Sequence, residues 1–324
     1  MTAERSWRRH WLLWPVLGLL LVLAGLWVFE RSTGTALSVR YGSLLWIPVN
    51  EHTAWLPKPI KLALHSQGVS ADPGPIAWRP LRNGFEVAEL PVLVQGAEVD
   101  RILLTRIDPT KYRFMVRNDP TGRRHLDSWM RDLGAILVIN GSYYGRSGAP
   151  ATPVVIDGRP AGPAQYDAKQ GAFVAAKGSA QLVDLQRQDW ASALRGADAA
   201  MVSYPLLIAS DGADRAPPGT GWLANRSFIA EDRAGRIILG TTKNAFFSLE
   251  RLGAFLKRSP LELKLALDLD GGPVACQAVK LANYSRRQCG NWELQIDRRG
   301  QAKILPPFNI TQPSMPMALA VVPR

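Results

Sequence analysis

Alternating apolar and polar positions dominate the chain from Phe85 onward and predict strands joined by tight turns. The predicted strands are Glu86–Val94, Asp100–Ile107, Ala135–Ile139, Pro153–Ile156, Met201–Ala209, Ser227–Glu231, Arg236–Thr242, Leu263–Asp270 and Met317–Val322, with a hairpin in Phe173–Leu185. Helical spacing is confined to Leu126–Leu133, Asp189–Leu194 and Leu249–Leu256. The pattern predicts an α+β fold with a mixed, strand-rich sheet and a few covering helices.

The N-terminal part of the chain carries a continuous apolar run instead. The 19 residues from Trp11 to Phe29 have no charge, and a helix of this length nearly spans a hydrocarbon core of about 30 Å. Arg5, Arg8 and Arg9 precede the run, so the positive-inside rule places residues 1–10 in the cytoplasm. We therefore predict a signal anchor at 11–29 and a single-pass inner-membrane protein. A cleaved signal peptide is the alternative, although its apolar region usually has only about 7–15 residues.

The exported part of the chain divides into two segments by composition. Residues 30–77 contain a cluster of prolines between Pro57 and Pro75 and few periodic apolar runs, which is typical of an extracytoplasmic tether. Residues 78–324 carry the strand pattern and form the predicted periplasmic or extracellular domain.

The charge balance favours anionic ligands. The formal net charge is +12 at pH 7, and a basic surface attracts phosphodiesters, phospholipid headgroups or nucleic acid. No Lys/Arg-rich run or aromatic RNA-binding signature is present, so nucleic acid is not a predicted partner. Solubility near one membrane face is the other interpretation of this charge.

The cysteines and histidines limit the cofactor chemistry. Cys276 and Cys289 are the only two cysteines, and in an oxidising compartment such a pair is predicted to form a disulfide. The exported histidines are dispersed, so we predict no metal site. The run Gly219–Ala224 matches a dinucleotide fingerprint, but it follows prolines rather than a strand, and no cofactor is predicted.

Two acidic residues follow the apolar face of one predicted strand. In Leu263–Asp270 the alternation places four leucines on one face, with Asp268 and Asp270 on the other. Carboxylates this close do not both ionise freely, and a paired acid and base is what glycosyl transfer to water requires. Gly271 and Gly272 let the backbone turn sharply beside a ligand. An ordinary strand end followed by a turn is the alternative.

Four separated blocks resemble the phosphodiester glycosidase family. They are Asn140-Gly141-Ser142-Tyr143-Tyr144, Asn225-Arg226-Ser227-Phe228-Ile229, Leu269-Asp270-Gly271-Gly272 and the closing run Met315–Val321. The resemblance covers about Trp78 to the C-terminus. It implies cleavage between the anomeric carbon of a sugar and a phosphate that carries a second substituent, so the expected partner is a phosphorylated glycan or sugar-1-phosphodiester.

The resemblance also implies roles for individual residues. The expected catalytic residues are Asp270 as base or nucleophile, Asp268 as its partner, and Asn140 and Arg226, whose guanidinium suits a phosphate. The expected substrate-binding residues are Gly141, Ser142, Tyr143, Gly271 and Gly272. Ser142 replaces a family glycine, and Pro273-Val274-Ala275 replaces a glycine and two hydroxyl residues. A non-catalytic module that binds anionic saccharides is therefore the alternative function.

Overall fold

The computed structural model describes residues 14–22, 24–25, 46–65, 70–145, 147–167, 170–219, 221–290, 292–297, 299–305 and 314–324. Residues 14–22 and 24–25 are helical, and the remainder of the predicted anchor at 11–29 lies outside the described residues, as do residues 1–10. Among the helices in the described ranges, none is both long enough and apolar enough to cross a membrane.

Strands are the predominant regular secondary structure of the described chain. The first eleven are β1 (Ile47–Val49), β2 (Asp72–Pro73), β3 (Arg79–Arg82), β4 (Phe85–Val94), β5 (Ala97–Ile107), β6 (Tyr112–Asn118), β7 (Leu137–Asn140), β8 (Val154–Ile156), β9 (Arg159–Ala161), β10 (Gly171–Ala176) and β11 (Ser179–Asp184). The next eleven are β12 (Ala199–Ser203), β13 (Leu206–Ile208), β14 (Trp222–Ala224), β15 (Ser227–Asp232), β16 (Ile237–Thr242), β17 (Leu263–Asp268), β18 (Cys276–Leu281), β19 (Tyr284–Cys289), β20 (Glu293–Ile296), β21 (Ala302–Leu305) and β22 (Met317–Pro323).

Short helices accompany the strands. From residue 46 onward they are α1 (Lys58–His65), α2 (Leu126–Leu133), α3 (Trp190–Ala193), α4 (Leu249–Arg258) and a 3-10 turn at Gly272–Val274. The Ser248 side chain caps α4 by accepting a hydrogen bond from the Arg251 amide. The strand-rich α+β class with few helices agrees with the sequence prediction.

The strands form four sheets. The largest has the order β13-β17-β15-β16-β5-β4-β2, with β3 also paired to β4. Two five-stranded sheets have the orders β11-β10-β12-β8-β9 and β19-β18-β7-β22-β6, and a four-stranded sheet has the order β1-β21-β20-β14.

The prediction of a mixed sheet is wrong for the described residues. Every described strand pair is antiparallel. Parallel pairs need long crossover connections, usually helical ones, whereas tight turns join antiparallel neighbours. A chain with many turn dipeptides and few helical segments therefore closes antiparallel sheets.

The largest sheet is buried on both faces. Ile102 and Leu104 of β5 pack in the same apolar cluster as α1, α4 and the four-stranded sheet. Leu103, between them, packs in a second cluster with residues of both five-stranded sheets. This alternation follows from the period of two along a strand. The central strands are thus fixed from both sides, which keeps their ends in defined positions.

Part of the segment predicted as a tether contributes to this core. Ile60 and Ala63 of α1 are fully buried in the first cluster, together with Leu56. Strand β1 pairs with β21 through contacts such as Ile47 opposite Ile304. The packed region therefore begins before Trp78, because an eight-residue amphipathic helix hidden among the prolines covers one face of the sheet.

The predicted disulfide is confirmed. Cys276 and Cys289 lie directly opposite each other on β18 and β19 and are bonded, with 13 residues of sequence separation. Closing a loop of this size reduces the entropy of the unfolded chain, which corresponds to roughly 3 kcal/mol in the chain-entropy model.

We expect the double variant Cys276→Ala/Cys289→Ala to lose about 2–4 kcal/mol of unfolding free energy, because the unfolded chain is no longer constrained. Urea denaturation at constant pH measures this loss. Adding a thiol reductant to the wild type should produce the same loss, while the double variant should not respond. Equal stability of the oxidised wild type and the double variant would contradict this account.

Candidate functional site

The candidate site lies where the C-terminal end of β17 meets the N-terminal end of β15. Asp268 is opposite Phe228 in this antiparallel pair. Beyond the paired residues, the Leu269 amide donates to the Ser227 carbonyl at 2.9 Å, and the Gly272 amide donates to the Asn225 carbonyl at 2.8 Å. These bonds hold the segment with Asp270 against the segment with Arg226. The predicted strand Leu263–Asp270 ends at Asp268, because Asp270 lies in the turn that follows.

Asn140 ties the end of β7 to the same turn. Its Nδ2 donates to the Asp270 carbonyl at 2.7 Å, and its Oδ1 accepts from the Cys276 amide at 3.0 Å. The Asp270 amide also donates to the Gly141 carbonyl at 3.2 Å. Since both ends of the Asn140 amide bind main-chain groups, this residue positions the Asp270 turn. Asn140 thereby joins β7 of one sheet to the turn after β17 of another.

Asp268 is completely buried at the base of the site. Its Oδ2 accepts a hydrogen bond of 3.1 Å from the Tyr143 hydroxyl, and its Oδ1 is buried without a hydrogen-bond partner among the described residues. Burial raises the pKa of Asp268 to about 8, although the Arg226 charge and the Tyr143 hydroxyl favour ionisation. This carboxyl group is therefore largely protonated at neutral pH.

We expect Asp268→Asn to stabilise the protein increasingly as pH rises. The pKa of Asp268 is raised on folding to about 8, so the folded state binds the extra proton above the unfolded pKa. The wild type therefore loses stability, by up to about 1.4 kcal/mol per pH unit, as pH rises towards the folded pKa. The neutral amide has no such dependence.

Thermal unfolding between pH 4 and pH 9 measures the Asp268 effect. The matched control is Asp72→Asn, because Asp72 is an exposed aspartate on β2. A difference in melting temperature between Asp268→Asn and wild type that does not grow with pH would contradict a buried, protonated Asp268.

Asp270 stays partly open to solvent. Its Oδ1 accepts a hydrogen bond of 2.9 Å from the Gly271 amide. Burial raises the pKa of Asp270 to about 7, with the Glu293 carboxylate raising it further and the Gly271 amide and Arg226 charge opposing the shift. A carboxyl group with this pKa exchanges protons readily near neutrality, as a general base must.

The Arg226 guanidinium is held rigidly inside the site. It is buried, its Nε donates to the Phe247 carbonyl at 3.3 Å, and one terminal nitrogen donates to the Trp222 carbonyl at 3.0 Å. The other terminal nitrogen, Nη1, lies 3.3 Å from the position that a Cβ would take on Gly271. Two of the five guanidinium N–H groups are thus used by backbone carbonyls within the described residues, and those of Nη1 together with the second one of Nη2 remain for a ligand.

Gly271 and Gly272 are required in the turn because other groups lie where their side chains would be. A side chain at Gly271 would contact the Asn225 carbonyl and Arg226, and Gly272 has a φ of +68° with the Glu293 Oε2 3.0 Å from its missing Cβ. Ser142, in contrast, is fully buried, and its hydroxyl lies 3.1 Å from that of Thr152. Ser142, which was predicted to bind substrate, is therefore buried behind the site.

Two aromatic rings border the carboxyl groups. Tyr143 and Tyr204 are stacked with ring centroids 4.4 Å apart, and Tyr204 is 40% exposed. The Tyr143 hydroxyl also lies 2.9 Å from the Tyr204 carbonyl. Burial, followed by the charges of Asp268 and Asp270, raises the pKa of Tyr143 well above its usual value, so its hydroxyl remains a donor.

Sequence reasoning missed Tyr204 and Glu293. Tyr204 interrupts the predicted strand Met201–Ala209, which divides into β12 and β13 on either side of Tyr204-Pro205. That aromatic-proline pair was the available signal, since proline rarely continues a central strand. Glu293 begins β20 in a different sheet, and no local pattern connects it with Asp270.

The site thus combines carboxyl groups, a fixed arginine and an exposed aromatic ring at one strand end. Paired carboxyl groups can cleave a glycosidic bond, and an arginine can bind a phosphate ester. Among the described residues, no group of three or more His, Cys, Asp or Glu side chains is arranged to hold a metal ion.

The family of the chain follows from its sequence. The family model for phosphodiester glycosidase matches residues 133–296, which include every block that carries Asn140, Arg226 and Asp270. The chain belongs to the phosphodiester glycosidase family. No curated protein matches the sequence.

The fold is similar to that of solved structures. The catalytic domain of zebrafish N-acetylglucosamine-1-phosphodiester alpha-N-acetylglucosaminidase, auto-inhibited by its pro-peptide, is 15% identical, with a TM-score of 0.53 over 81% of this chain and 93% of that one. A hypothetical protein from Synechocystis is 14% identical, with a TM-score of 0.47 over 78% of this chain and 64% of that one. A protein of Burkholderia pseudomallei described as a putative exported protein is 10% identical, with a TM-score of 0.43 over 79% of this chain and 97% of that one.

Proposed function

We propose that this protein hydrolyses the bond between the anomeric carbon of a sugar and a phosphate that carries a second substituent. Family membership supports the reaction class. The observation that carries the proposal is the juxtaposition of a partly exposed Asp270 with a pKa of about 7 and the rigid Arg226 beside Gly271. One group accepts a proton near neutrality and the other provides a fixed positive charge.

In the proposed reaction Asp270 activates the attack on the anomeric carbon. As a base it takes a proton from water while the water oxygen bonds to that carbon and the phosphate leaves. As a nucleophile it bonds to the carbon itself as the phosphate leaves, and water then hydrolyses the resulting glycosyl ester. Asp268 remains protonated at the base of the site and holds Tyr143 through the hydrogen bond from its hydroxyl. The exposed ring of Tyr204, stacked on Tyr143, provides a flat surface on which a pyranose ring can lie.

Arg226 binds the phosphate in this proposal. A guanidinium keeps its charge at all relevant pH values, and Nη1 is the nitrogen that faces the turn. Because Phe247 and Trp222 fix the other nitrogens, little reorganisation is needed as negative charge develops on the leaving phosphate.

The proposed location is the extracytoplasmic side of the inner membrane. The bonded Cys276 and Cys289 suit an oxidising compartment, and the apolar run at 11–29 with its preceding arginines suits a signal anchor. Protease added to intact spheroplasts should digest the domain after residue 46 and spare an N-terminal tag. Protection of the domain would contradict this topology.

The test of the reaction is a substrate panel with the full-length protein in detergent. The panel contains methyl phosphodiesters of several sugar 1-phosphates, with the matching sugar 1-phosphates and methyl glycosides as controls. We expect release of free sugar and methyl phosphate from at least one diester and from neither control. Binding of a diester without release would favour the non-catalytic saccharide-binding module.

A further inference from the structure

Glu293 brings a third carboxyl group to the site from another sheet. Its Oε2 lies 3.0 Å from the position of a Cβ on Gly272, directly after the Asp270 turn. Its charge is one of the causes that raise the pKa of Asp270, and burial raises the pKa of Glu293 itself while the Arg226 charge lowers it. Glu293, Asp270 and Arg226 therefore share one electrostatic environment.

Specific contacts hold Glu293 in this place. Glu293 on β20 is opposite Ala224 on β14, two residues before Arg226. The neighbouring Trp292 amide donates to the Asn225 Oδ1 at 3.1 Å, and the Asn225 amide donates to the Trp292 carbonyl at 3.2 Å. The register of β20 is thus fixed against the segment that supplies the arginine.

The described contacts give the Glu293 carboxylate no role in stabilising the fold. It is half-buried, and within the described residues its side chain makes no hydrogen bond and no ion pair, even though the Arg226 charge acts on it. A carboxylate that loses water without gaining a partner destabilises the fold. Such a placement is typical of a group that a ligand or a proton transfer uses.

We infer that Glu293 is the proton donor to the leaving phosphate, acting opposite Asp270 across the sugar–phosphate bond. The inference rests on the proposed function. Water bonds to the anomeric carbon as Asp270 accepts its proton. The bond between that carbon and the phosphate oxygen breaks, its electron pair stays on the oxygen, and the Glu293 proton joins that oxygen. The products are the free sugar and a phosphate monoester, and the proton returns from Asp270 to Glu293 through solvent.

The test compares pH–rate profiles of wild type, Glu293→Gln and Glu293→Asp on a hydrolysed diester. We expect Glu293→Gln to lower kcat about 10²-fold and to abolish the basic limb of the profile. Its acidic limb should stay nearly in place, because Glu293 is protonated and neutral in the productive form, in which only Asp270 of the pair is ionised. Glu293→Asp should recover part of the rate and restore the basic limb. Glu262→Gln, which changes an exposed glutamate just before the far end of β17, is the control with unchanged activity.

A Glu293→Gln protein with wild-type rate, or with both limbs in place, overturns the proton-donor role while leaving the proposed hydrolysis intact. Equal loss in Glu293→Gln and Glu293→Asp together with a lowered melting temperature would also overturn it, because that pattern indicates a packing role. Absence of turnover by the wild type on every diester would overturn both proposals together.

Discussion

Replacing Asp270 by asparagine is expected to lower turnover of a glycosyl phosphodiester by at least about 10²-fold, the usual contribution of a general acid or base. The asparagine side chain would keep an oxygen that accepts from the Gly271 amide, but it has no charge and cannot take a proton. In the wild type, activity should rise with pH through about 7, because burial raises the pKa of Asp270 to about 7 and only the ionised form is a base.

The fold should tolerate the Asp270→Asn change. The bonds from Asn140 and Gly141 to this residue involve its main chain, which the substitution does not alter. The melting temperature should therefore stay the same or rise slightly above pH 7, where the variant avoids a buried charge. Steady-state kinetics and thermal unfolding on the same preparation measure both quantities. A folded variant with nearly normal turnover would remove Asp270 from the chemistry.

Changing Arg226 is expected to produce the second large effect, and two variants separate its roles. Arg226→Gln removes the charge that lowers the pKa of Asp268, Asp270 and Glu293. Its kcat/KM should fall by about 10²–10³-fold, as when one preorganised electrostatic donor is lost. The acidic limb of the pH–rate profile should move to higher pH, because the Asp270 carboxylate loses a stabilising cation.

Arg226→Lys keeps the charge but loses the contacts with the Phe247 and Trp222 carbonyls. We expect a raised KM and a nearly unshifted acidic limb, since a lysine is a mobile point charge without the planar fork. Arg195→Lys, at an exposed position in the turn after α3, is the control. If Arg226→Gln left the pH–rate profile in place, the electrostatic coupling of Arg226 to Asp270 would be refuted.

Much of the fold was predictable because its signals are local. The helix Leu126–Leu133 was predicted with the bounds observed, and β16 was predicted to within one residue at its start, from its short run of apolar residues. Asp157-Gly158, a dipeptide typical of tight turns, is the local signal between β8 and β9. Local alternation, however, carries no information about which strands pair, so it could not separate one mixed sheet from four antiparallel ones.

Residues of the candidate site were predictable only where they lie in a recognisable sequence motif. Asp268, Asp270, Arg226 and Tyr143 do come together, and three of them lie in blocks that resemble the family. The role of Asn140 could not be predicted, because its partners Asp270 and Cys276 are 130 and 136 residues away along the chain. Glu293 was missed for the same reason. Its importance depends on the pairing of β20 with β14, which is a tertiary event.

The long spacing of these contacts has a consequence for how the protein acquires its site. The Tyr143–Asp268 bond closes a loop of 125 residues and the Asn140–Asp270 bond one of 130. Contacts of such high sequence separation form late, because their loop-closure entropy must be overcome before they contribute. Upon refolding, secondary structure and the burial of tryptophans should thus recover before binding or turnover does. Recovered activity would report completion of the whole chain topology.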